Sequence, residues 1–333
     1  MRDAPDKMPQ SAVVQLDGKG KPVVEISPKF LNQPMILITQ IQRSGGTLIS
    51  QLFDGHPQIY AHPHELHIGY PEKWHWPQLS LSDDPKVWFN CLYEERLEQF
   101  YGKGYYKPGM NSFALKEVHP FSFDPKIQQA VFSQGLKFKP PNSQREILNI
   151  YYTSFFAAWS DTPTNPGGRY ISAFCPRILM FPDSTERFIR DYPDGHIVSS
   201  VRDPRTWYAS ASRHAPAYED VREAIGLWRM STTYAIRLKK MMPDYIFLTS
   251  YEKLVSETED TMRRMATFLG IDFDNSLLMP TYVSKPILPN SSYERKSYGV
   301  NADSTKTAAQ LNDRDRAYIE EKAMPLYEEA VSL

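Results

Sequence analysis

A chain of 333 residues can bury a sizeable core and is most simply one large domain with insertions. Its 38 Lys and Arg residues nearly balance 39 Asp and Glu, which excludes an overall field for nucleic acid or an anionic membrane, so an anion site has to be local. Two cysteines, Cys91 and Cys175, exclude a disulfide framework, while the polar start MRDAPDKMPQ and the lack of a long apolar run argue against a signal peptide and a membrane span; the expectation is a cytoplasmic protein.

Residues 1–32 read as a peripheral segment, in which SAVVQLDGKGKPVVEISP has the pattern of a hairpin around Asp17-Gly18. The main domain, 33–333, opens with Met35-Ile36-Leu37-Ile38, a short apolar run typical of a strand buried on both faces. From Thr47 onward Leu48, Ile49, Leu52 and Phe53 fall at helical spacing, and Gly55 and Pro57 end that helix. Ile59-Tyr60-Ala61 predicts a second short strand. Residues 70 to about 168 form a mostly helical insertion rich in Trp and Tyr. Strand and helix then alternate: Tyr170–Phe174, a helix through Ser184–Asp191, strand His196–Val201, a helix from Pro204, a helix through Tyr218–Met241, strand Tyr245–Leu248 and helix Thr258–Leu269. This order predicts an α/β fold, a central parallel sheet flanked by helices in three layers, with ligands at the carboxyl ends of the strands.

Two of those strand ends carry oxyanion chemistry. The first is Gln42-Arg43-Ser44-Gly45-Gly46-Thr47. Its glycines let the backbone approach an anion, the start of the next helix points amides at it, and Arg43, Ser44 and Thr47 add side-chain donors. A tight turn with incidental polar residues has the same composition. It is not a Walker A loop, since GxxxxGK[ST] and its lysine are absent. The second is Arg202-Asp203-Pro204-Arg205-Thr206-Trp207-Tyr208-Ala209-Ser210, with Asp203 able to cap and Pro204 able to start the helix. Arg202 then stands at a strand end and Ser210 about two turns into the helix.

Together, RSGGT after a first strand and RDPRTWYASA after a later one resemble the sulfotransferases that use 3′-phosphoadenosine 5′-phosphosulfate (PAPS), of the bacterial and tyrosylprotein type, whose domain is P-loop-like. The resemblance covers roughly residues 34–69 and 170–300. It implies that Arg43, Ser44, Gly45, Gly46 and Thr47 hold the 5′-phosphosulfate and that Arg202 and Ser210 hold the 3′-phosphate. TSYEKLVSETEDTMRRMATFLGI matches the strand and helix that follow in many members, which implies Tyr251 near the adenine. PNSSYERKSYG resembles a late nucleotide-closing segment, with Arg295 or Lys296 as phosphate contacts. Leu48 stands at the cofactor-lining position where cytosolic members carry a Trp that stacks on adenine. At Phe174-Cys175-Pro176 a lysine common among relatives is missing, with Arg177 and Lys116 both open as substitutes.

The reaction so implied moves the sulfuryl group of PAPS, in line, to a hydroxyl of a small molecule or carbohydrate, with no metal required. Arg43 and the loop amides stabilise charge on the departing 5′-phosphate. The hydroxyl needs a base. Glu65, in HisProHisGluLeuHis, resembles the family's catalytic glutamate after Asp54-Gly55-His56-Pro57; His119, in LysGluValHisPro, loosely resembles a Lys-x-His and is a second candidate. His62, His64 and His67 read either as a structural cluster or as metal ligands. Tyr70, Trp74, Trp76 and Trp88 could line the acceptor pocket or pack the core. Competing readings are a P-loop kinase, a non-catalytic nucleotide-binding protein, and a lumenal tyrosylprotein-type enzyme, which would require a membrane anchor.

Overall fold

The computed structural model describes residues 12–16, 22–26, 30–68, 74–94, 97, 100, 121–161, 167–288 and 298–333. Strands β1 (Ala12–Leu16) and β2 (Pro22–Ile26) pair antiparallel, Ala12 opposite Ile26. The main sheet contains β3 (Met35–Ile38), β4 (Ile59–Glu65), β5 (Tyr170–Phe174), β6 (His196–Val201) and β7 (Ile246–Ser250). All neighbours are parallel, in the order β4-β5-β3-β6-β7.

Central β3 is wholly buried, and its alternation creates the layers. Ile36 and Ile38 face one apolar cluster with Ile49, Leu52 and Phe53 of α1 (Gly46–Phe53), Leu254 of α8 (Tyr251–Ser256) and Met262 and Met265 of α9 (Thr258–Leu269). Met35 and Leu37 face the other. That second cluster draws on the insertion helices α2 (Pro85–Leu92), α3 (Pro125–Phe138) and α4 (Gln144–Ala158). It also includes α5 (Pro182–Asp191), α6 (Pro204–Ala211), α7 (Val221–Met241) and the final helix α10 (Asp313–Ser332). A short antiparallel pair, β8 (Thr281–Tyr282) and β9 (Lys285–Pro286), completes the described strands.

The differences from the sequence reading are local. The second core strand runs on to Glu65 instead of stopping near Ala61, because β4 is an edge strand and an edge accommodates Pro63. The long helix begins at Val221, capped by Asp220, and the residues before it form a separate turn at Pro216–Tyr218. Trp76 and Trp88 belong to the core, at 1% and 5% exposure. No described helix is long and apolar enough to cross a membrane.

Candidate active site

The turn after β3 is shaped by residues that tie it down from behind. Ile41 N–H donates to Ser231 Oγ (3.1 Å) and Trp207 Nε1 donates to the Gln42 carbonyl (2.8 Å). Arg43 then takes a left-handed backbone, φ 68°, and Gly45 reaches φ 101° as the residue before α1. A Cβ on Gly45 would lie 2.7 Å from Tyr251 Cδ2, so only glycine lets this ring close on the loop. The Gln40 amide, with its oxygen toward α1, accepts from Gly46 N–H at 2.9 Å. Gly45 itself offers no side-chain cap and no acid stands in the first turn of α1, so apart from the neutral Gln40 amide its positive end carries no compensating negative charge. Ser44 Oγ is buried there without a hydrogen-bond partner among the described residues, the kind of orphaned donor that an oxyanion satisfies.

The turn after β6 meets the first one directly. Asp203 caps α6 and Pro204 opens it, which leaves Arg202 at the strand end, only 4% exposed. Arg202 Nη1 donates to the Arg43 carbonyl (3.0 Å) and its Nε donates to Thr206 Oγ1 (3.1 Å). Its guanidinium lies 4.7 Å above the Tyr251 ring. Arg43 Nε in turn donates to Ser210 Oγ (3.2 Å), so the side chain of the first motif reaches the serine of the second. Burial, and then the Arg202 charge beside it, lowers the Arg43 pKa from the ordinary arginine value. Two cations facing one cleft are a costly arrangement that a polyanionic ligand relieves.

Sheet order decides what lies beyond the loop. Because β5 separates β4 from β3, a residue just past β5 stands between Glu65 and the turn after β3. That residue is Arg177, again left-handed at φ 70° and held by its N–H on the Gln40 carbonyl (2.9 Å). Its Nε donates to Gln42 Oε1 (2.7 Å) and its Nη2 donates to the Tyr218 hydroxyl (2.5 Å), which itself donates to Gln42 Oε1. The guanidinium lies 4.7 Å above the Trp74 ring, and Trp74 Nε1 donates to Glu65 Oε1 (3.4 Å). Cys175, two residues back, is buried; burial and then the Glu65 and Glu94 charges push its pKa well up, so it stays a neutral thiol.

Behind Glu65 is a buried cluster of His62, His64 and Glu94, whose ligand-capable atoms lie within 4.8 Å of one another. Glu94 Oε1 accepts from His62 Nε2 (3.0 Å) and Oε2 accepts from His67 N–H (3.1 Å). Each imidazole Nδ1 meets a backbone carbonyl at 2.9 Å, that of His64 for His62 and that of Glu65 for His64. These contacts link the three side chains to one another and to the main chain. Burial raises the Glu94 pKa, but the two imidazoles and the His67 N–H outweigh it and hold the carboxyl at about 2.

A model of the sulfotransferase family matches residues 34–275, from the start of β3 to just past α9. The chain belongs to the sulfotransferase family. It is accordingly an enzyme of sulfuryl transfer, and both strand-end motifs lie inside the match. No curated protein matches it by sequence. Among solved structures, the sulfotransferase domain of the Synechococcus PCC 7002 olefin synthase is 18% identical, covering 89% of this chain and 97% of its own, with a TM-score of 0.48. The sulfotransferase domain from the curacin biosynthetic pathway is 18% identical, over 85% and 98%, with a TM-score of 0.42. Retinol dehydratase, solved with retinol and PAP, is 14% identical, over 97% and 92%, with a TM-score of 0.37.

Of the residues singled out in sequence, Arg43, Ser44, Gly45, Gly46, Thr47, Arg202, Ser210 and Tyr251 fall on the two facing turns and the strand end beside them. Glu65 stands across β5 from them. Leu48 is half-buried against the apolar layer of Ile38 and Phe247. His119, Lys116, Arg295, Lys296 and Tyr70 lie outside the described residues. Sequence reasoning gave no role to Gln42, Tyr218 and Glu94. Gln42 entered only as the opening residue of the first loop and Tyr218 only as a helix start, and Glu94 lies in the insertion with nothing to pair it with the His62–His67 run.

Proposed function

We propose that this family member takes its sulfuryl group from PAPS and delivers it to a hydroxyl of a small molecule or carbohydrate in the cytoplasm, with Glu65 as the base. The observation that carries this reading is the shared cleft, in which Arg202 holds the Arg43 carbonyl while Arg43 Nε reaches Ser210 Oγ. A mononucleotide with a single phosphate group has no use for two cationic turns of separate origin. A 3′,5′-bisphosphate does.

In this reading Arg202 and Ser210 bind the 3′-phosphate, and Tyr251 flanks the adenosine. The Gly45-Gly46 amides, Ser44, Thr47 and Arg43 bind the phosphosulfate and stabilise the departing 5′-phosphate. Arg177 takes the place of the missing lysine: its Nε donates to Gln42 of the loop and its guanidinium lies over Trp74, whose indole N–H donates to Glu65, which supports a role for it between the two. Glu65, half-buried beside Trp74, accepts the proton of the attacking hydroxyl.

The test is thermal stabilisation, since a ligand that binds the native state raises its stability by mass action. Adenosine 3′,5′-bisphosphate is expected to raise the melting temperature well beyond ATP–Mg²⁺ at equal concentration. Equal or greater stabilisation by ATP–Mg²⁺ overturns the assignment of donor.

A further inference from the structure

We infer that Glu94 is a positioning residue for Glu65: a buried carboxylate from the insertion that clamps the irregular end of β4 and so sets where the base stands. The inference rests on the reading of Glu65 as the base.

The end of β4 needs such a clamp. Its pairing with β5 is regular at Ile59, Tyr60 and Ala61 and then shifts register before Glu65 meets Phe174, so the ladder does not fix the intervening residues. Glu94 fixes them from behind. Its two oxygens accept from His62 Nε2 and from His67 N–H, and Oε2 lies 3.5 Å from His64 Nδ1, so the contacts fall on both sides of Glu65 in the chain. The imidazoles pass the constraint to the main chain, His62 Nδ1 to the His64 carbonyl and His64 Nδ1 to the carbonyl of Glu65 itself.

The chemistry of the clamp fits positioning better than stability. One ring nitrogen of His62 meets a main-chain carbonyl at 2.9 Å and the other meets the Glu94 carboxylate at 3.0 Å, so the ring is held at both ends inside the fold. Phe155 lies 4.7 Å from the His62 ring and Phe100 lies 5.1 Å from the His64 ring, an apolar setting where packed hydrocarbon would stabilise the fold as well. What hydrocarbon cannot supply is direction. Glu94 is 0% exposed.

The experiment uses the full chain with PAPS as donor and water or 2-naphthol as surrogate hydroxyl acceptors. Variants are Glu65→Gln, Glu94→Gln, the double variant, and His62→Gln, which opens the clamp from its other side. Displacing a reacting group by about an ångström costs roughly 10²-fold, so Glu94→Gln is expected to lower kcat about 10- to 100-fold. KM for PAPS and the shift given by adenosine 3′,5′-bisphosphate should stay within about twofold of wild type. If Glu94 acts through Glu65, the double variant is no slower than Glu65→Gln alone. His62→Gln repeats the pattern and carries the comparison if Glu94→Gln fails to fold. The inference is overturned if both clamp variants keep wild-type kcat, or if Glu94→Gln slows the Glu65→Gln background as much as it slows wild type. Full turnover by Glu65→Gln removes the base assignment itself, a result separate from slow Glu65→Gln beside fast Glu94→Gln.

Discussion

Replacing Gly45 by alanine tests the cleft at its narrowest point. The backbone there has φ 101°, and the added methyl would lie 2.7 Å from Tyr251 Cδ2 and 3.2 Å from Cε2. Ordinary contact requires about 0.7 Å more, so either the ring leaves its place under Arg202 or the loop moves. A non-glycine residue at such a φ costs about 1–3 kcal/mol, and overpacking adds a similar amount. If about 2 kcal/mol of this falls on the ligand-binding conformation, the dissociation constant for adenosine 3′,5′-bisphosphate rises about 30-fold. At a ligand concentration of about 100 times the wild-type dissociation constant, stabilisation is about 2.7 kcal/mol for wild type and about 0.9 for the variant. With an unfolding entropy of about 2.1 cal/mol/K per residue, a chain of 333 residues shifts by about 1.4 °C per kcal/mol. Differential scanning fluorimetry should therefore read about 4 °C of ligand-induced shift in wild type and about 1 °C in Gly45→Ala. A full shift in the variant would refute the claim that this turn and Tyr251 form the nucleotide site.

Arg43→Ala removes a preorganised donor and is expected to slow turnover by roughly 10²–10³, read as sulfuryl transfer from PAPS under saturation. Glu94 supplies a pH signature. Its carboxyl is held at about 2, below its ordinary 4.5, so the stability it contributes is complete above pH 4.5 and is lost as pH falls through 2. Urea unfolding of wild type should lose on the order of 3 kcal/mol across that window, and Glu94→Gln should flatten that part of the curve. Tyr327→Phe removes the hydroxyl that donates to half-buried Glu252 (2.8 Å), whose other oxygen accepts from Asp203 N–H (3.1 Å). A loss of about 1–3 kcal/mol is expected from the urea midpoint, and an unchanged midpoint would show that this tie from the last helix carries no load.

What could be read from sequence was whatever a short window contains. The apolar run 35–38 and the 3.6-residue period of Thr258–Leu269 fixed a central strand and a helix to the residue, because local pattern and burial agree there. The two turns were legible for the same reason, each being a contiguous motif. Failures came where distance in sequence intervenes. Pro63 and the histidines broke the apolar signal of β4, and only its place at the sheet edge explains how the strand continues. Arg177 and Lys116 were equivalent in one dimension; the order β4-β5-β3 is what sets Arg177, just past β5, between Glu65 and the loop after β3. The Trp-rich insertion read as either pocket wall or core; Trp76 and Trp88 are buried, with their indole N–H groups on Asp191 (2.7 Å) and the Ser80 carbonyl (2.8 Å), while Trp74 stands beside Glu65.

Arg43, Trp74 and Arg177 all adopt positive φ, at 68°, 69° and 70°. Each gives up about 1–3 kcal/mol that a residue without a Cβ would keep. Truncation to glycine at these positions therefore cuts away the side chain while easing the main chain, whereas truncation to alanine cuts and leaves the tension in place. Engineered variants that look sturdier yet work worse should be found at these three sites, and melting temperature is a poor guide there to whether the enzyme still functions.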